Sequence, residues 1–388
     1  MYNICIVGCG SRMHNVLKEL SKQDDMRVSV IVDPRIKQLS QEFGNEVRYF
    51  ESLDDYLKSG IEVDGYMVGT RCDLHTDIAI ELAKTGKPLF LEKPVSINVE
   101  QVKRLENLLN IDGYNDKVVI SFPLRGTEVV RKSKEIIDSG VLGKIEQVQS
   151  WNNCFYGRGF YHKWFRDESI TGGLFIQKAT HDVDYIHYLV GGTPSYVCGV
   201  KSKTIFKGDM PAGLKCKDCD IRKTCPESDI NVASYESEFF NGGKITLGEY
   251  CCFAVDTGNE DSSSMLLMYE DGTQVDYSQN FVIRRNAGGR GARLIGYLGT
   301  LVLSFEDATI NVIYHNEQKS EQYVFAKKGG HHGGDYYLTK NFADVVRGKD
   351  VSHYPLSEGI RSAKICLSAN LSSENKKFYD VKTLECLL

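Results

Sequence analysis

Short apolar runs alternate with helical spacing through the first third of the chain. Asn3 to Val7 is apolar and ends in glycines, Asn15 to Leu20 reads as helix, and Arg27 to Val32 is a second β-rich run. The alternation continues through Val47 to Phe50, Asp64 to Val68, a helical stretch from Leu74 to Lys84, and the apolar runs Pro88 to Leu91 and Val118 to Phe122. Strand, helix, strand order predicts a parallel, doubly wound sheet, a Rossmann-type α/β domain over residues 1–122. Such sheets bind ligands beyond the carboxyl ends of their strands, so the loops at Gly8, Asp33, Gly69 and Glu92 are expected along one crevice. Residues 123–388 are expected to form a second domain that ends in helices from Tyr336 to Arg347 and from Ser357 to Asn375.

Length and composition support this division. A chain of 388 residues is long for one domain, and 41% hydrophobic with 26% charged residues is ordinary for a folded protein. Lys and Arg number 47 against 52 Asp and Glu, a net charge of −5, which argues against a nucleic acid or an anionic membrane as partner. The N-terminus lacks the basic-then-apolar layout of a signal peptide, and no apolar run approaches the roughly 18 residues of a membrane span, so a cytoplasmic protein is expected. In that setting the 12 cysteines read as reduced thiols. Cys216 and Cys219 have metal-ligand spacing and Cys225 follows, but three local thiols leave tetrahedral zinc one ligand short unless Cys198, Cys251, Cys252 or a histidine completes the set. No metal is assigned.

The candidate chemistry sits in the crevice loops. Gly8-Cys9-Gly10-Ser11-Arg12-Met13 begins like a dinucleotide fingerprint: Gly8 permits the tight turn, and Gly10 lets the backbone approach a pyrophosphate at the next helix N-terminus. Met13 stands where the third glycine would. Asp33 ends the second strand, where its carboxylate accepts from the adenosine ribose hydroxyls; it favours NAD, while Arg35 could pair with a 2′-phosphate and keeps NADP open. In Glu92-Lys93-Pro94, Lys93 ends a strand facing the same crevice. An oxidised nicotinamide and desolvation would both lower its pKa toward proton exchange with a substrate hydroxyl.

These residues, with Val32-Asp33-Pro34, the segment Thr70 through His75, and then Gly172-Gly173-Leu174, His181, Asp184 and Gly333-Gly334-Asp335, resemble the glucose-fructose oxidoreductase, inositol dehydrogenase and rhizopine-catabolism (Gfo/Idh/MocA) family over nearly the whole chain. The resemblance implies a Rossmann domain followed by an α/β domain with a large, open, mainly antiparallel sheet. One face of that sheet serves substrate and the other a homodimer or homotetramer. It implies cofactor contacts at Gly8, Gly10, Ser11, Arg12, Met13, Asp33, Arg35, Thr70, Arg71, His75, Glu92 and Lys93, and catalysis by Lys93 with His181.

If the helix begins after Gly173, Lys178, His181, Asp182 and Tyr185 share one stripe, and Gln177, His181, Asp184 and Tyr188 share its neighbour. Gln177 departs from the aspartate common in the family, and Gln cannot exchange a proton. Lys178 or Asp182 could take that role, or the amide could hold substrate. Arg125 and Trp164 supply a donor and a flat aromatic face suited to a polyol, as well as to a core edge. The expected activity is NAD(P)-dependent hydride transfer involving a secondary hydroxyl of a sugar, inositol or glycoside. Glycoside cleavage with recycled NAD is the alternative. A nicotinamide sensor would have no use for Lys93 and His181 together.

Overall fold

The computed structural model describes residues 1–232, 248–284, 287–328 and 331–387. The chain divides into two compact units, the first made of residues 1–135, 180–191 and 326–367, the second of residues 136–179, 192–325 and 368–388. The first unit therefore extends past residue 122 and takes in two later segments.

Six strands form the first sheet: β1 (Tyr2–Val7), β2 (Met26–Val32), β3 (Arg48–Phe50), β4 (Gly65–Val68), β5 (Leu89–Leu91) and β6 (Val118–Ile120). Their order is β3-β2-β1-β4-β5-β6 and every neighbouring pair is parallel. Helices α1 (Ser11–Leu20), α2 (Ile36–Phe43), α3 (Leu53–Lys58), α4 (His75–Ala83) and α5 (Val99–Glu106) make the connections. Ile4 to Ile6, Leu89 to Leu91 and Val118 to Ile120 are all buried without a polar alternation, as parallel strands covered on both faces require. The order reverses between β1 and β4, so the loops after these strands flank a switch-point crevice. Ladder bonds continue into those loops: Gly69 N donates to Val7 O at 2.9 Å, and Glu92 N to Val68 O at 3.0 Å. Helix α1 starts at Ser11, not Asn15, because the glycine turn leads straight into it. The first unit also contains α6 (Thr180–Val190), α7 (Gly334–Val346) and most of α8 (Leu356–Asn375).

The second unit is built on nine strands in the order β14-β13-β12-β11-β7-β10-β9-β8-β15. They are β7 (Ile145–Asn153), β8 (Pro194–Ser202), β9 (Ser262–Tyr269), β10 (Gln274–Asn280), β11 (Gly289–Gly296), β12 (Gly299–Ser304), β13 (Thr309–Tyr314), β14 (Ser320–Val324) and β15 (Tyr379–Asp380). Only β7 and β10 pair in parallel; the other neighbours are antiparallel. Met265, Leu267 and Tyr269 are buried while Leu266 is exposed, the two-fold period of a sheet covered on one face. Among the described residues no helix is long and apolar enough to cross a membrane.

Candidate active site

The crevice is built from the glycine turn upward. Gly8 has φ +83°, and a Cβ there would lie 2.7 Å from the backbone nitrogen of Thr70. Only glycine lets the β1 and β4 loops meet this closely. Gly10 caps α1 in an extended conformation with no side-chain cap bond, so the first-turn N–H groups of Ser11, Arg12 and Met13 are not capped by that side chain. Met13 is fully buried, and a Cβ on Gly69 would sit 2.7 Å from its Cε. The close packing usually granted by a third fingerprint glycine is here supplied by Gly69, and Met13 has only its backbone to offer a cofactor.

Asp33 is buried at the end of β2. Its Oδ2 accepts from Cys9 N at 2.9 Å and from Arg35 Nη2 at 2.7 Å, and its Oδ1 accepts from Arg35 N and Nε, each at 2.9 Å. Burial opposes ionisation, yet these donors hold the carboxyl below its ordinary range. The Arg35 guanidinium also donates to Cys9 O at 2.9 Å, which folds it back onto the turn.

Three residues expected to touch cofactor are side-chain braces. His75 is buried between two carbonyls, Pro94 O at 2.7 Å from Nδ1 and Thr70 O at 3.2 Å from Nε2, so it ties the loop after β4 to the Lys93-Pro94 turn. Arg12 donates Nε to Glu92 at 2.9 Å, Nη2 to Ser121 Oγ at 3.0 Å, and both terminal nitrogens to Asp335 at 2.9 and 2.7 Å. Glu92 is buried and also accepts from Ser121 Oγ at 2.8 Å. Thr70 is half-buried at the crevice and Arg71 is exposed.

Lys93 is half-buried at the end of β5, joined to Pro94 by a cis peptide. The thiol of buried Cys366 is pushed up by burial and further by Asp182, against the opposing pull of Lys93. His181, on α6, is 6% exposed, and its ring centroid lies 6.5 Å from that of Phe122 and 5.6 Å from that of His331. Lys93, Asp182, His181 and the dinucleotide loop thus all belong to the first unit. His331 and Asp335 stand in the glycine-rich segment before the helix Tyr336 to Arg347, a loop expected to pass close to ligand but given no individual site residue. Their spacing of four at a helix start is a signal the sequence carries, and Nδ1 of His331 lies 3.0 Å from Asp335.

The helical stripes drawn from Gly173 do not hold. Phe175–Ala179 is a π-helical turn, and α6 begins only at Thr180. The wider turn shifts the face on which everything after it lies. Leu174 N and Phe175 N donate to buried Glu260 at 3.2 and 3.0 Å, an acid cap that sequence reading missed because 85 positions intervene. Gln177 and Lys178 are buried in the π turn, and Lys178 donates to the Tyr156 hydroxyl with its ammonium 4.6 Å from that ring centroid.

Arg125, expected as a substrate donor, has its side chain engaged in a buried ion-pair network. It is buried, donates Nε to Asp184 at 3.1 Å and Nη2 to Asp184 and to Glu358, the latter at 3.0 Å, and packs on Tyr188 at 4.9 Å. Around Trp164 the aromatic segment is mostly core edge: Tyr161 stacks on Phe206 at 3.9 Å and His162 is buried on Tyr250 O, while Trp164 stacks on Phe165 at 3.9 Å and remains half-buried. Cys216 N donates to Glu249 O at 2.7 Å and Cys251 N to Leu214 O at 2.8 Å, so Cys251 joins the cysteine segment. Among the described residues no three potential ligands are gathered closely enough to hold a metal.

Comparison with known proteins agrees with the folds of the two units. Residues 2–114 match the oxidoreductase family with an NAD-binding Rossmann fold, and residues 130–302 match the GFO/IDH/MocA C-terminal domain. The Bacillus subtilis protein YteT, named as an oxidoreductase, is 24% identical over 90% of both chains. Inositol 2-dehydrogenase of Rhizobium meliloti is 24% identical over 50% of this chain and 57% of its own. A 2,7-anhydro-N-acetylneuraminate hydratase of Mediterraneibacter gnavus is 25% identical over 52% of this chain and 51% of its own. Among solved structures, levoglucosan dehydrogenase with NADH and levoglucosan superposes with a TM-score of 0.74 at 17% identity, covering 98% of this chain and 99% of that one.

Proposed function

Because this chain belongs to the GFO/IDH/MocA oxidoreductase family, we propose that it oxidises a secondary hydroxyl of an inositol, sugar or anhydrosugar with NAD. The observation that carries this reading is the placement of Lys93, Asp182 and His181 in the same unit as the glycine turn and Asp33. The residues fit the dinucleotide. Gly8 and Gly10 leave the turn open to a pyrophosphate, the first turn of α1 presents its N–H groups, and Asp33 accepts from the ribose hydroxyls. Its ionised carboxylate disfavours a 2′-phosphate, and Arg35, spent on Asp33 and Cys9, does not compensate.

Bound nicotinamide supplies the two-electron chemistry. Lys93 orients the reacting hydroxyl, and His181 takes its proton as the base nearest the reacting carbon. Lys93 follows the end of β5, where it is half-buried. The open face of the second sheet joins copies of the chain. On that face Cys198 pairs with Leu266, and Val200 and Leu266 are 61% and 57% exposed.

A second reading rests on Gln177. An amide where the family commonly has an acid suits an enzyme that oxidises only transiently and returns the hydride, and a hydratase is among the relatives. NADH absorbance after adding NAD and a panel of inositols, aldoses and anhydrosugars separates the two. Net NADH, lost in Lys93→Ala and His181→Ala variants that still bind NAD, is the expected result. Wild-type turnover in both variants would sink the mechanism, and substrate consumed without net NADH would favour the second reading.

A further inference from the structure

We propose that His331, oriented by Asp335, is a relay that accepts the substrate's hydroxyl proton from His181 and releases it to water. The inference rests on the oxidation proposed above. Its geometry lies within the first unit. Nδ1 of His331 is 3.0 Å from Oδ2 of Asp335, and a carboxylate that is ionised can only accept. The proton of neutral His331 is therefore on Nδ1, which leaves Nε2 as the basic nitrogen.

Asp335 is itself fixed. Both terminal nitrogens of Arg12 grip its two oxygens, at 2.9 and 2.7 Å, and Arg12 Nε holds Glu92 at 2.9 Å, the residue before Lys93. One guanidinium thus ties the dinucleotide helix, the lysine turn and the His331 carboxylate into a single bonded set. The charged groups acting on His331 are Asp335 and Glu92, which favour its imidazolium, and Arg12, which with burial opposes it. The net shift is downward, as suits a group that passes a proton on without keeping it.

The rings of His181 and His331 stand 5.6 Å apart at 42°. His181 is 6% exposed, whereas the His331 side chain is 32% exposed. His331 is thus the more exposed of the two rings. In the balanced step the substrate C–H bond breaks with its electron pair leaving as hydride to oxidised nicotinamide, and the carbon becomes a carbonyl. The O–H proton moves to His181, then to Nε2 of His331, then to water, and both histidines return neutral.

Two measurements test the relay. The first, long-range proton–nitrogen NMR on labelled protein without substrate, is expected to show His331 protonated at Nδ1 and bare at Nε2 near neutral pH, with that preference lost in Asp335→Asn. The second uses a polyol that the wild type oxidises. His331→Ala is expected to lower kcat about ten-fold or more with the KM for NAD unchanged, and added imidazole to restore the rate in proportion to its concentration. An Nε2–H tautomer, an unchanged kcat, or a loss that imidazole does not restore would overturn the relay. A wild type inactive on every polyol counts against the proposed function alone, and the tautomer then decides the relay.

Discussion

Nε of Arg125 donates to Oδ2 of Asp184 at 3.1 Å, and the pair is closed off from water, with Arg125 6% and Asp184 0% exposed. An arginine that looks like a sugar donor in the chain is thus a strut between the segment after β6 and helix α6, braced again by Glu358 on α8. The same α6 carries His181, so the strut sets where the candidate base stands.

Removing one partner of a buried pair strands the other charge. Arg125→Ala is expected to lower unfolding stability by about 3–5 kcal/mol, read as a drop in the urea midpoint. A variant of wild-type stability with a raised polyol KM would instead restore Arg125 as a substrate contact.

His187 should make the protein acid-sensitive. Arg361 Nη1 lies 2.8 Å from its Nε2, and arginine can only donate, so His187 accepts and is neutral. Burial, then Arg361, push it down to about 4 against the pull of Glu358. The unfolded chain, with a histidine pKa near roughly 6.5, takes up this proton first as the pH falls. Stability is therefore complete above about 6.5 and is lost toward about 4, by roughly 3 kcal/mol at most. Urea unfolding at several pH values should show a flatter slope for His187→Gln, whose amide oxygen still accepts from Arg361.

Gly8→Ala meets both a backbone clash at 2.7 Å and a φ of +83°. Loss of NAD binding is expected, with destabilisation of about 1–3 kcal/mol. Gly60→Ala is the control: φ is +68° with nothing within 4 Å, so it should cost stability while leaving NAD affinity untouched.

Asp33→Ser removes the anion that repels a 2′-phosphate and releases Arg35 to meet one. Fluorescence titration should show NAD binding weakened and the NAD-over-NADP preference reduced or reversed. An unchanged ratio of dissociation constants would mean that Asp33 does not reach the ribose.

The alternation of apolar runs and helical spacing was sufficient to predict the parallel sheet, because burial on both faces leaves its mark residue by residue along β1, β5 and β6. The glycine turn, Asp33 at a strand end and Lys93 at another were legible for the same reason: each is a local matter of backbone and strand position. Polar side chains that choose partners far along the chain were not. Arg12 is 323 positions from Asp335, and Arg125 is 59 from Asp184 and 233 from Glu358. Nor does spacing reveal a π turn, which moved His181 off the stripe that ideal helix geometry assigns to it. Periodicity records which face of an element is buried. Whether a buried charge there is a brace, a base or a relay depends on which other charges the tertiary structure brings within bonding distance, and that was decided only by the fold.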